Sequence, residues 1–167
     1  RNARAVTPHV GTVHSLCFRA LGQPPLVDSK NFKEFCDRVG IEAPKSRTAD
    51  DSPFWWADED MNESEEGAVL RRVYAEARHR GVPIAEATTR FRSFDSNRMS
   101  LLADKYAEWK RVEHLMDFED LLDAGAERPP PVSVLFCDEA QDNSPLLWSV
   151  LNRWAHEVDL FVAAGDP

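Results

Sequence analysis

The sequence predicts an α/β protein in which a small parallel sheet carries a mainly helical insertion. Residues 132–137 and 160–164 are continuous apolar runs, the pattern of strands buried on both faces of a parallel sheet. Residues 144–156 between them read as a helix, with Ser144 as cap and Pro145 in its first position, so the three elements make a βαβ unit. Upstream, helical spacing dominates, which places the helical mass before that unit.

Taken in order, residues 10–13 are a short β-branched run, read as a strand leading into a helix over 14–21 with Leu16, Cys17, Ala20 and Leu21 at helical spacing. Gly22 and Pro24-Pro25 end it. A second helix is expected over 31–39, capped by Asn31, with Phe32, Phe35 and Cys36 facing inward and Gly40 as its stop. Residues 44–66 form an acidic, loop-like segment whose Phe54-Trp55-Trp56 cluster is too apolar for a free linker. Residues 66–80 are helical and end at Gly81, with Arg78, His79 and Arg80 in the last turn, where the helix dipole favours cations. A short helix is expected within 83–94. Over 97–114, Leu102, Tyr106, Trp109, Val112 and Met116 step by three or four residues into one apolar stripe. A helical turn over 118–122, capped by Asp117 with Phe118 packed under the sheet, is broken by Pro129-Pro130-Pro131. Residues 1–23 and 117–167 thus belong to the sheet-bearing part and 24–116 to the helical insertion.

The net charge of −9 argues against indiscriminate nucleic-acid binding, which rests on phosphate neutralisation by Lys and Arg. Acids crowd the stretch from Asp50 to Glu66, which holds no Lys or Arg, so any DNA path avoids it. That field also makes Trp55 and Trp56 better suited to a protein partner or local packing than to base stacking; Trp109, Trp148 and Trp154 lie on helical stripes and are expected in the core. The three cysteines, Cys17, Cys36 and Cys137, are far apart and without metal-ligand spacing, and read as buried thiols of a reducing compartment. No apolar run approaches the roughly 18–20 residues of a membrane span. A cytoplasmic location follows, nucleoid-associated if the source is bacterial or phage.

The residues that carry chemistry are Val134-Leu135-Phe136-Cys137-Asp138-Glu139-Ala140-Gln141-Asp142, an apolar strand ending abruptly in acids. In parallel α/β folds ligands sit at the carboxyl ends of strands. An acid there can hold Mg²⁺, usually through water, and the next can orient and deprotonate a water attacking a γ-phosphate. Side-by-side carboxylates repel in a dry site, which makes a divalent cation a natural partner.

Asp138-Glu139-Ala140-Gln141-Asp142 resembles the Walker B-type motif of superfamily 1 helicases similar to UvrD, Rep and the RecB/AddA motors. Val162-Ala163-Ala164-Gly165-Asp166-Pro167 resembles the start of their next motif, a strand ending in Gly-Asp. Gly11-Thr12-Val13-His14-Ser15-Leu16-Cys17 and Met116-Asp117-Phe118-Glu119-Asp120-Leu121-Leu122 resemble their Thr-Phe/Ile-His-Ser and Leu-Asp-Phe-Asp-Asp-Leu motifs. The motifs stand in the family's order and cover both ends of the chain; residues 24–98 match only as a helical insertion. The resemblance implies an incomplete RecA-like (P-loop NTPase) sheet in an ATP-dependent helicase acting on single-stranded and duplex DNA. It implies Mg²⁺ on Asp138, Glu139 as general base, Gln141 as γ-phosphate sensor, Asp142 orienting the loop, and Gly165 and Asp166 beside the nucleotide. It also implies Thr12, His14 and Ser15 at a strand end facing single-stranded DNA, where neutral donors reach phosphate oxygens without a basic surface.

The family's phosphate-binding loop is absent: no Gly-Lys-Thr or Gly-Lys-Ser occurs in the 167 residues. That loop supplies the backbone cradle and the lysine for the β- and γ-phosphates. The second motor domain is missing too, so the expected partners include the remainder of the helicase, and this chain alone is expected to hydrolyse no ATP. Without the family's central strand, the insertion stabilises the sheet, the sheet rearranges, or a second copy associates. Two other readings compete. One is a non-catalytic acidic helical module that binds a protein through Phe54, Trp55 and Trp56. The other is a superfamily 2 RNA helicase, because Asp138-Glu139-Ala140-Gln141 resembles a DEAD-type box.

Overall fold

The computed structural model describes residues 10–44 and 65–166. The element order is α1 (Val13–Ala20), α2 (Ser29–Val39), α3 (Glu66–Arg80), α4 (Ile84–Thr88), α5 (Ser96–Glu113), α6 (Phe118–Gly125), β1 (Val134–Cys137), a 3₁₀ turn (Ala140–Asp142), α7 (Pro145–Ala155) and β2 (Leu160–Ala163). The chain is therefore mixed α/β and mostly helical. Strands β1 and β2 pair in parallel, Val134 opposite Leu160 through Cys137 opposite Ala163, and α7 is the crossover between them. No described helix is long and apolar enough to cross a membrane. The segment from 54 to 56, with its aromatic cluster, lies outside the described residues.

Local chemistry accounts for most helix boundaries. The Ser144 side chain accepts from the Leu147 amide and Pro145 follows at a position whose N–H has no helical partner. Gly40 and Gly81 end α2 and α3 in the left-handed conformation, at φ 74° and 67°, where a side chain is strained. Asp117 caps α6 through a capping box with Asp120.

Four expectations need correction. Asn31 does not cap α2: Asp28 does, and Asn31 sits three residues in, its side chain accepting from the Asp28 amide at 2.7 Å. The box needs a polar side chain at both positions, and Asn31 supplies the second. The turn over 118–122 is a longer helix that ends at Gly125, ahead of the prolines.

Residues 10–12 form no strand. Val10 is 78% exposed, and Thr12 turns the chain directly into α1 by accepting from the Ser15 amide. Finally, β1 and β2 are buried on one face only. Leu135 and Phe161 pack inward, whereas Val134, Phe136 and Leu160 are 42%, 72% and 51% exposed because no described layer covers that side.

Two apolar clusters form. One gathers Phe32, Phe35, Leu70, Val73, Met99, Tyr106 and Trp109 from α2, α3 and α5. The other gathers Cys17, Phe118, Leu121, Leu122, Val150, Leu151 and Trp154 from α1, α6 and α7, with Leu135, Phe161 and half-buried Trp148 against it. The chain passes between them at a single isolated parallel bridge, Leu26 to Met116, where Val27 N donates to Met116 O at 2.9 Å and Met116 N to Pro25 O at 3.0 Å. The helical segment thus starts and finishes at one point.

A buried ionic cluster joins the two halves. Lys110 on α5 binds both Asp117 and Asp120 at the head of α6, and Arg71 on α3 lies 3.7 Å from Asp117 and hydrogen-bonds Tyr106. Charges this deep are tolerated only when paired.

Candidate functional site

The site grows from the end of β1. Ala164 N donates to Cys137 O at 2.8 Å and Ala140 N to Ala164 O at 2.9 Å, so the pairing of the two strands continues past their ends into the loops. These bonds bring 138–142 and 164–166 side by side. Asp138 accepts from the Glu139 amide at 3.0 Å, and Glu139 takes a left-handed conformation at φ 50°. A non-glycine residue in that region carries backbone strain of order 1–3 kcal/mol.

Gln141 is the clasp. Its Nε2 donates to Glu139 Oε2 at 2.6 Å and its Oε1 accepts from the Asp166 amide at 3.1 Å. Gly165 makes the clasp possible: a Cβ there would lie 2.1 Å from Gln141 Oε1 and 3.1–3.2 Å from the Ala140 and Gln141 amide nitrogens. Asp138, Glu139, Gln141, Gly165 and Asp166 therefore meet at one exposed rim.

Thr12 and His14 reach the same region from the other side. An apolar cleft of about 920 Å³ runs beside β1, and its lining includes Gly11, Thr12, His14, Phe136 and Asp138. The three residues of the first motif are not equivalent, however. They occupy a helix start, not a strand end. Thr12 is the exposed cap of α1, and Ser15 spends its hydroxyl locally, donating to Thr12 O at 2.8 Å. His14 is half-buried, its ring edge-on to Phe118 with centroids 5.4 Å apart.

Burial lowers the His14 pKa from its ordinary 6.5; the Glu119 carboxylate opposes the shift and His79 adds to it. A histidine lowered in this way favours the folded state above its unfolded pKa, and that contribution fades as pH falls through the folded value. Acidification below about pH 6.5 is thus expected to weaken the docking of α1. An NMR titration of the His14 ring reads this directly. A midpoint at or above that of an exposed histidine overturns it.

Among the described residues no group of three or more His, Cys, Asp or Glu side chains is placed to hold a metal ion. The rim offers the carboxylates of Asp138 and Asp166, while that of Glu139 is engaged by Gln141. That donor set does not suit a caged cation. It does fit Mg²⁺, which keeps several waters and is bound through one or two carboxylates plus substrate phosphates. Burial pushes the Cys17 and Cys36 thiols up to about 12, which disfavours their thiolate forms.

Sequence reasoning missed Glu119, His79, Arg71 and Lys110. Only one signal pointed to Glu119, an acid beside the apolar stripe Phe118, Leu121, Leu122 of α6. Searches against protein-family models, curated proteins and solved structures gave no match to the chain.

Proposed function

We propose that this chain is part of the first motor domain of an ATP-driven DNA helicase similar to UvrD and Rep. In this reading the βαβ unit is a portion of a RecA-like sheet and residues 24–116 are a helical insertion. The observation that carries the reading is the Gln141 clasp, which ties the strand-end acids Asp138–Glu139 to the Gly165–Asp166 loop. An acid pair on a merely solvated loop has no need of a glycine that lets a second strand end approach so closely. The ordered motifs of the sequence add support.

Within this reading each residue has a defined task. Asp138 would hold Mg²⁺, which when bound would supply neutralisation of phosphate charge. Glu139 accepts the proton of the attacking water. Gln141 holds the Glu139 carboxylate with one end of its amide and Asp166 with the other, so a phosphate that draws Gln141 away moves both. Thr12 and the open amides at the head of α1 donate to a DNA phosphate. His14 sets the seat of α1 from below more than it contacts DNA, because its ring is packed on Phe118.

Titration of isotopically labelled chain tests the proposal. Mg²⁺ is expected to shift the Glu139 and Asp166 amides together, with loss of both responses in Asp138→Asn. A thymidine oligonucleotide is expected to shift the amides at the head of α1. Mg-ATP is expected to release no phosphate, since the lysine-bearing loop is not in these residues. Turnover by this chain overturns the expectation that it is inactive alone, and silence of both amide groups sinks the reading.

A further inference from the structure

Three polar residues from three helices line up between the helical segment and the acid loop. His79, in the last turn of α3, has its Nδ1 2.7 Å from Ser144 Oγ and its Nε2 3.5 Å from Glu119 Oε1. Glu119 is 1% exposed, and among the described residues neither of its oxygens has a hydrogen-bond partner. Ser144 caps α7, its Oγ accepting from Leu147 N at 3.3 Å. It stands immediately after the loop 138–143 that holds the acids.

The geometry selects one protonation pattern. A buried carboxylate without its own donors strongly prefers an N–H pointing at it over a ring lone pair. Glu119 therefore draws the proton of His79 to Nε2. Nδ1 is left as an acceptor, and the nearest donor is the Ser144 hydroxyl. The hydroxyl can donate to the ring while its oxygen accepts from Leu147 N, so all its roles are compatible. The other tautomer would set a ring lone pair against the Glu119 carboxylate.

The groups that face Glu119 come from several elements: His14 on α1, Arg71 and His79 on α3, and Tyr106 on α5. Of these, His79 also reaches Ser144 at the head of α7.

We propose that His79 is a positioning residue for the acid loop: Glu119 fixes its ring, and the ring fixes the Ser144 hydroxyl that anchors the C-terminal end of loop 138–143. The near end of that loop is already held by β1, its middle by the Gln141 clasp, and its last residue by Asn143 Nδ2 on Cys137 Sγ at 3.2 Å. His79 adds a second tether at that far end, and it does so from the helical segment. Through this contact the placement of Glu139 depends on how α3 docks against α7. The inference deepens the nucleotide-site reading, because it matters for hydrolysis only if the loop has that role. The tether itself is independent of nucleotide.

The test uses this chain without nucleotide, so its result is separate from that of the ligand titrations. Nitrogen NMR of His79 is expected to report a protonated Nε2 and an accepting Nδ1, with the preference reduced in Glu119→Gln and in Ser144→Ala. Amide exchange in residues 139–144 is expected to accelerate roughly three- to tenfold in His79→Phe, the equilibrium factor for losing about one hydrogen bond. Ser144→Thr keeps the hydroxyl and is expected to retain wild-type exchange, whereas Ser144→Ala, which also loses the cap bond to Leu147 N, is expected to accelerate exchange at least as much as His79→Phe. Exchange that rises in α3 but not in 139–144, or an Nδ1-protonated ring, overturns the proposal. So does a Ser144→Thr variant that exchanges like Ser144→Ala.

Discussion

Replacing Asp117 by alanine is expected to destabilise the chain by about 3–5 kcal/mol, the cost of breaking a buried charge pair, with up to about 1 kcal/mol more for the lost cap. Asp117 does two jobs. It caps α6 by accepting from Asp120 N at 2.9 Å, and it neutralises Lys110 and Arg71, which are 3% and 4% exposed. Without it both cations remain buried, Lys110 beside Asp120 and Arg71 facing Glu119. Asp117→Asn separates the two jobs, since the amide oxygen can still accept the capping bond but carries no charge. It is expected to fall between wild type and Asp117→Ala in urea unfolding. Equal stability of all three would show that the cluster contributes nothing net.

The pH dependence has a definite sign. Burial alone raises the Asp117 carboxyl, but Lys110 and Arg71 outweigh it and hold the pKa below the ordinary 3.8. An acid depressed in the folded state adds stability above its unfolded pKa and loses it as pH falls through the folded value. Asp120 shifts the other way, raised by burial and by Asp117. The Asp117 contribution is thus lost below about pH 3.8, and Asp117→Asn should flatten the unfolding curve in that window.

The second large effect is expected at Gly125. A Cβ there would lie 2.4 Å from Cys17 Sγ, 2.5 Å from Cys17 Cβ and 3.1 Å from Cys17 Cα. The last of these is backbone, so α1 and α6 must separate. Overpacking of this kind costs about 1–3 kcal/mol, which outweighs the roughly 1 kcal/mol by which alanine improves on glycine inside a helix. The Gly125 carbonyl also accepts from Trp154 Nε1 at 3.1 Å, so movement of α6 disturbs a fully buried tryptophan. Gly125→Ala should therefore lower the unfolding midpoint and alter Trp154 fluorescence. Cys17→Ala should not rescue it, because the offending Cβ remains; Cys17→Gly should recover part of the loss. Full rescue by Cys17→Ala would show that only the sulfur was in the way.

Gly125→Ala acts at the seam that sets α1 against α6, whereas Asp117→Ala acts where α6 meets α3 and α5. Thr12 and His14 sit at the head of α1, and Asp138 lines the same cleft. The seam thus controls the distance between the first motif and the acid rim. Gly125→Ala is expected to shift the amides at the head of α1 even under conditions where the chain stays folded.

How much was legible beforehand differs by element. Helix α3 was readable from residue 66 to its stop at Gly81, because a periodic stripe and a left-handed glycine are local properties. The strands were readable as apolar runs, and Ser144 and Asp117 as caps, for the same reason. Burial of the strands on both faces was not legible. Apolar residues state that a face seeks cover, not that a covering layer is at hand, and Phe136 remains 72% exposed. The run at 10–13 misled because β-branched residues favour a strand only where a neighbour strand supplies hydrogen bonds. Here the Thr12 hydroxyl offered a helix cap instead.

The sequence by itself determined the two strands, most of the helices, the caps Ser144 and Asp117, the stops Gly40 and Gly81, and the placing of two acids at the end of a strand. All of these arise from interactions within a few residues along the chain. Only the tertiary structure decided that Gln141 closes on Asp166, 25 residues away, that Lys110 and Arg71 meet Asp117, and that His79 stands between Glu119 and Ser144. Charges and amides carry no periodic signature of their partners. Which of them pair is settled by the packing of apolar faces, and that packing fixes where each polar group is delivered.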